Sequence, residues 1–188
     1  MQGPNNFFDI LFGRSKESGI FRQIPLNMPG KLFTSPMPFG AYDKGNQLIK
    51  IFKHHSIQHV FVLVTDPELK KKAKRNLLSE YVKHGIGYSR YEIGDYQAPS
   101  LEVIRGLVCE ALARLRKKQR ILVHCHAGVG RTSVSVSCIT MAVEEISAKE
   151  AIAHVKANMM VNITAEQIRL IEKFETILEG SKVRHFCD

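Results

Sequence analysis

Cys125 and Arg131 are the residues best placed to do chemistry. They stand six positions apart in the string HCHAGVGRT, His124 to Thr132, with Gly128 and Gly130 between them. A buried apolar run precedes the string and an apolar helical pattern follows it. A strand-to-helix loop of this kind turns successive backbone N–H groups inward, and the helix start adds its positive end. The product is an anion cradle formed by His126, Ala127, Gly128, Val129, Gly130 and Arg131. The two glycines let the backbone bend where a side chain would obstruct it. The planar guanidinium of Arg131 suits two oxygens of a phosphate. Cys125 lies at the floor of the cradle, where the positive field favours a thiolate nucleophile. A lone cysteine near glycines is usually a small core residue, but the full string in its strand–loop–helix setting argues for a site. A Walker loop is excluded, because no Gly-Lys-Ser/Thr occurs. Zinc binding by His124, Cys125 and His126 is a poor fit, since adjacent residues do not converge on one ion. No metal and no cofactor is expected.

The elements that position this loop read as α/β. A short strand is expected at KLFTS from Lys31, then a turn at Pro36–Pro38 and a short helix around Leu48–Phe52. His59–Thr65 reads as a strand buried on both faces. A single helix is expected from Asp66 as N-cap, with Pro67 at its first position, to His84, where Gly85 ends it. Ile86–Ile93 reads as a strand and GDYQAP as a loop. Ser100 then caps an amphipathic helix carrying Leu101, Ile104, Leu107, Val108, Ala111, Leu112 and Leu115. Arg120–His124 is a buried strand. Helices follow at about Arg131–Glu145, Ala148–Ala157 and Thr164–Glu179. Strands alternating with helices predict a central, mostly parallel sheet of about four to five strands flanked by helices on both sides. Ligands of such sheets bind beyond the carboxyl ends of strands, where the cysteine loop lies. The expected organisation is an irregular N-terminal arm over 1–28, the main domain over 29–180 and a tail over 181–188.

HCHAGVGRT resembles the HCxxGxxR-Ser/Thr signature of the protein tyrosine phosphatase superfamily. The resemblance runs from about Lys31 to Glu179, and its size is similar to the dual-specificity branch. VFVLVTDPEL and YEIGDYQAPS resemble the cyclin-kinase-associated phosphatase group. The resemblance implies hydrolysis of phosphate monoesters through a phosphocysteine on Cys125, with Arg131 as phosphate clamp. It further implies that Thr132 hydrogen-bonds the Cys125 sulfur and that His124 orients the loop. It also requires an aspartic acid on a separate loop, which is Asp95, thirty residues before Cys125. Asp95 would protonate the leaving oxygen and then act as base on water. From local sequence alone Asp95 is a loop-capping aspartate; Glu92 and Asp66 are the competing acids. Gln167 resembles the family residue that places water, and Thr164 with Gln167 reads equally well as a capping box. Val129 stands where lipid phosphatases of this superfamily carry a lysine.

Three functions follow. The leading one is a phosphatase for phosphoproteins, acting on phosphotyrosine and also on phosphoserine or phosphothreonine. The second is a phosphatase for a non-protein anion: an inositol phosphate, a phosphoinositide or an RNA 5′-phosphate. The third is a phosphate-binding module without turnover. The net charge is +9. Two basic clusters, Lys70–Arg75 and Arg114–Arg120, read as solvated helix faces or as a surface that steers an acidic partner. The chain shows no secretory leader and no run of about 18 apolar residues, so a cytoplasmic setting is expected, with nuclear location or other export left open. Cys109, Cys125, Cys138 and Cys187 show no paired spacing, and no disulfide framework is expected. An accessible Cys125 thiolate is open to peroxide, with Cys109 and Cys138 as the candidates to trap it. The sequence is silent on oligomeric state.

Overall fold

In the computed structural model, which describes residues 20–187, five strands form one sheet. They are β1 (Arg22–Ile24), β2 (Lys31–Ser35), β3 (His59–Val62), β4 (Gly87–Arg90) and β5 (Arg120–His124). Their order is β1-β2-β5-β3-β4. Only the β1–β2 pair is antiparallel; β2–β5, β5–β3 and β3–β4 are parallel. β5 thus sits in the middle, and the loop after it opens at the carboxyl end of four parallel strands. The helices are α1 (Leu48–His54), α2 (Asp66–Lys72), α3 (Leu77–Lys83), α4 (Leu101–Arg116), α5 (Arg131–Glu144), α6 (Ala148–Asn158) and α7 (Ala165–His185).

The central strands β3 and β5 read as apolar runs because both faces are covered. Period-two alternation with the observed strand register puts Phe33, Leu122, Val60 and His124 on one face and Phe61, Ile121 and Val123 on the other. The first face meets α1 and α3: the Tyr81 hydroxyl of α3 lies 2.8 Å from His124 Nε2. The second meets α4: Tyr91 lies beside Phe61 and bonds Glu110 of α4. Leu107, Val108, Ala111, Leu112 and Leu115 of α4 are buried, as the helical spacing predicts.

Five local expectations change. Residues 22–24 were expected to be irregular; they pair with β2 and carry the sheet's outer edge. The helix expected from Asp66 to His84 is two helices. Ala73 is extended, Lys74 N–H bonds Phe39 O, and Asn76 starts α3 by accepting from Ser79 N–H at 3.2 Å. Thr65, not Asp66, is the N-cap of α2. Finally, α7 runs to His185, into the expected tail, and Phe186 is fully buried. Cys187 forms a disulfide with Cys109, against the expectation of no disulfide; 78 residues separate the two, so no local spacing could announce it.

Candidate active site

Cys125 is the first residue beyond β5 and is 3% exposed. It lines the floor of a small cavity of about 80 Å³ with His126, Ala127, Val129, Gly130 and Arg131. The Gly128 N–H donates to its sulfur at 3.3 Å. Gly128 has φ +77°, and a Cβ there would approach the Ser35 carbonyl oxygen to 2.6 Å, so glycine is required. The loop is fixed at three further points. Met37 N–H bonds His126 O, Asn162 N–H bonds Val129 O, and the Ser133 hydroxyl donates to Val129 O at 2.6 Å.

His124 lies wholly inside, between the Tyr81 hydroxyl and its neighbour's carbonyl, with Nδ1 3.0 Å from Cys125 O. Burial, with help from Arg131 and Arg90, brings its pKa down to about 4, so the ring is neutral near pH 7. Its two ring nitrogens contact Tyr81 of α3 and the Cys125 carbonyl, and the ring adds no charge. His126 is also pushed down, by burial and then by Lys72. Thr132 is fully buried in the first turn of α5, and its hydroxyl has no hydrogen-bond partner among the described residues. The expected Thr132 bond to the sulfur is therefore not made; the sulfur takes the Gly128 N–H instead.

Arg131 is 2% exposed, and its fork is held from three sides. Nη1 donates to Glu68 Oε2 at 2.6 Å and to Ile93 O at 2.8 Å; Nη2 donates to Glu68 Oε1 at 3.0 Å and to Asp95 Oδ1 at 3.1 Å. Lys72 bridges the two acids, 3.0 Å from Glu68 and 3.3 Å from Asp95. Sequence reasoning missed Glu68 and Lys72. Their signal was an i,i+4 pair on α2, but Glu68 also occupies the third position of a helix, where it reads as a cap. The distances separate the roles: Glu68 lies 3.4 and 3.5 Å from Thr65, against 2.6 and 3.0 Å from Arg131. Burial works to raise the Glu68 pKa, but Arg131 and Lys72 outweigh it and hold it at about 2.

Asp95 lines the cavity, whereas Asp66 and Glu92 do not. Asp66 and Glu92 both pair with Arg90, each at 2.7 Å. The Asp95 loop is built tightly. Gln97 N–H bonds Gly94 O, and the Gln167 amide nitrogen donates to Gln97 O at 2.8 Å. Gln167 Oε1 meanwhile accepts from Thr164 N–H, completing the capping box at the start of α7. Gln167 therefore caps the helix, braces the Asp95 loop and lines the cavity at once. Tyr96 is held at φ +61° beside Asp95, and it is 74% exposed at the rim. Tyr42 forms the opposite rim, edge-on to His126 at 5.3 Å. Its loop is organised by buried Asp43, which accepts from the backbone of Phe39, Gln47 and Leu48. The two tyrosines were not anticipated, since nothing local marks them.

Among the described residues no group of three or more His, Cys, Asp or Glu could hold a metal ion, and no helix is long and apolar enough to cross a membrane.

The profile of the family described as Cyclin-dependent kinase inhibitor 3 (CDKN3) matches residues 44–152. The chain is 31% identical over 100 residues to cyclin-dependent kinase inhibitor 3 of Mus musculus, covering 53% of this chain and 47% of that protein. The match thus spans about half the length of that curated relative. Among solved structures, kinase associated phosphatase with serine in place of its catalytic-site cysteine superimposes with a TM-score of 0.76 at 22% identity, covering 86% of this chain and 97% of that one. PTPMT1 in complex with PI(5)P gives 0.71 at 18% identity, over 85% and 97%. At these identities the structural likeness establishes the cysteine-phosphatase fold alone.

Proposed function

The chain belongs to the cyclin-dependent kinase inhibitor 3 family, and from this premise we propose that it hydrolyses phosphate monoesters on phosphoproteins through a phosphocysteine at Cys125. The observation that carries the reading is the convergence of Cys125, Arg131 and Asp95 on one small cavity at the carboxyl end of β5.

The substrate phosphate seats in the loop amides as Asp95 yields its place on Nη2, and Arg131 takes two phosphate oxygens through its Nε–H and the freed Nη2–H. Asp95, released from the ion pair, takes up a proton from solvent and turns toward the leaving oxygen. The Cys125 sulfur attacks phosphorus in line, the bond from phosphorus to the leaving oxygen breaks, and the Asp95 carboxylic acid donates its proton to that oxygen. In the second half Asp95, now a carboxylate, takes a proton from water. The water oxygen attacks phosphorus and the S–P bond breaks, with the Gly128 N–H bonded to the departing sulfur. Gln167 has one amide hydrogen beyond its bond to Gln97, and this is the group available to place that water. Loop amides and Arg131 supply most of the stabilisation, since the transition state spreads charge over the phosphoryl oxygens.

Tyr42 and Tyr96 at the rim favour an aromatic ester, because ring contacts there reward phosphotyrosine over phosphoserine. The loop offers Ala127, Val129 and a neutral His126, so it lacks the fixed cations that an inositol phosphate would use. The cytoplasmic setting belongs to the same proposal; in a reducing compartment the Cys109–Cys187 bond would be open to reduction.

The test is a substrate panel with wild type and Cys125→Ser. Turnover of a phosphotyrosyl peptide at least 10-fold above a phosphoinositide and an RNA 5′-phosphate is expected, with none by the variant. Equal rates for wild type and variant on every substrate would leave only the binding module.

A further inference from the structure

α2 has two working faces. Glu68 and Lys72, four residues apart, face the Arg131 clamp. Leu69, Lys70, Ala73 and Lys74 line a separate groove of about 440 Å³, closed on its other side by Arg75, Asn76, Leu77 and Leu78 at the start of α3. The groove exists because the chain breaks between the two helices at residues 73–76.

Its chemistry is of two kinds. The aliphatic groups of Leu69, Ala73, Leu77 and Leu78 form an apolar floor, with Leu77 2% exposed. Lys70, Lys74 and Arg75 stand on the rim, all exposed. Arg75 is steadied by stacking 5.2 Å above the Phe39 ring, and the Lys74 N–H is tied to Phe39 O. Among the described residues neither Lys70 nor Lys74 has an ion-pair partner. The acid in the lining, Asp66, is taken by Arg90 at 2.7 Å. The groove is thus a net cation over an aliphatic base. No aromatic side chain lines it, which argues against stacked bases. A concave apolar floor suits a side chain more than a lipid head group.

We propose that this groove docks an acidic and apolar segment of the phosphoprotein substrate, with an Asp or Glu on the rim and a Leu-like side chain on the floor. The inference rests on the phosphatase reading above. The groove lies across α2 from the clamp, about 10 Å away. An extended chain covers about 3.3 Å per residue, so the determinant falls three to five residues from the phosphorylated side chain. The second basic cluster has no part in this. Arg114 is paired with Glu110 and Arg120 stacks on Phe33, at the amino end of β5, away from the site.

The test is the charge-reversed pair Lys70→Glu with Lys74→Glu in the full chain. Three substrates are compared: a small aryl phosphate, a phosphotyrosyl peptide with Glu and Leu four residues away, and the same peptide with Ala there. The expected result is unchanged kcat/KM for the aryl phosphate and the Ala peptide, and an increase of about 10-fold in KM for the Glu–Leu peptide, with kcat held. Equal losses on both peptides, or no loss on either, would overturn the groove. Binding of the unphosphorylated Glu–Leu peptide, read by fluorescence anisotropy, separates the two ideas. If the wild type hydrolyses nothing yet binds this peptide more than 5-fold tighter than the variant, the phosphatase reading fails and the groove stands. Displacement of that peptide by an RNA oligonucleotide or phosphoinositide vesicles more readily than by excess peptide would overturn the peptide assignment.

Discussion

Glu68 shows how much a single carboxylate governs. It meets both Nη atoms of Arg131 in a paired arrangement, at 2.6 and 3.0 Å, with only 12% of its side chain exposed. That geometry fixes the plane of the guanidinium before any phosphate arrives, the kind of positioning that raises rate more than affinity. It also shares the cation with Asp95, so the acid is not drawn permanently onto Arg131. Glu68→Gln keeps the shape and removes the charge. Arg131 then keeps the Ile93 carbonyl and has Asp95 as its remaining ion-pair partner, and the acid leaves it less readily. The expected outcome is a fall in kcat of about 10- to 100-fold, or about 1.4–2.7 kcal/mol of barrier, with KM changed far less. Steady-state kinetics on an aryl phosphate measures the split. A kcat within twofold of wild type would show that the loop alone holds the arginine.

The sheet carries two imidazoles that the surroundings keep uncharged. His59 opens β3 and His124 closes β5, the neighbouring strand. Burial, then Arg114, brings His59 down to about 4; burial brings His124 to a similar value. In the unfolded chain both titrate at 6.5. Between these values the unfolded chain binds more protons, so stability must fall as pH drops from about 6.5 toward about 4. At pH 5 each histidine costs about 2 kcal/mol. Urea midpoints at pH 7 and pH 5 should differ accordingly, and His59→Gln should remove about half the difference. A midpoint flat across that interval would mean that water reaches both rings. These strands were legible because burial on both faces writes a continuous apolar run, and the cysteine loop because each residue type answers a need of the anion. The break between α2 and α3 was not legible. Lys70 to Arg75 are good helix formers, and what ends the helix is the Phe39 carbonyl, 35 residues upstream, which takes the Lys74 N–H. The same reason hid Lys72: a lysine within a basic run looks solvated until the fold brings Asp95 beside it.

The C-terminal end is bound to the body of the molecule by three unlike interactions at one place. Phe186 is 1% exposed and packs edge-on against Phe174 of α7. Arg105 of α4 donates to the Phe186 carbonyl at 3.0 Å and stacks over its ring. The disulfide from Cys109 to Cys187 then closes α4 onto the end of α7. This pairing removes Cys109 as a trap for an oxidised Cys125. Cys138 is no better placed, fully buried and roughly 10 Å along α5 from the helix start, with burial pushing its thiol far up. The bond therefore serves stability, and the α7 residue that lines the cavity, Gln167, lies at the far end of a long helix. By loop closure, a 78-residue separation corresponds to roughly 4 kcal/mol. Reductant, or Cys187→Ser, should lower the urea midpoint by about 1–2 M and leave aryl phosphate turnover in the absence of denaturant within twofold. If thiol titration shows both cysteines free while the midpoint has not moved, the aromatic and arginine contacts hold the end unaided. A loss of turnover that tracks reduction would instead place the disulfide in control of the acid loop, through α7 and the Gln167–Gln97 bond.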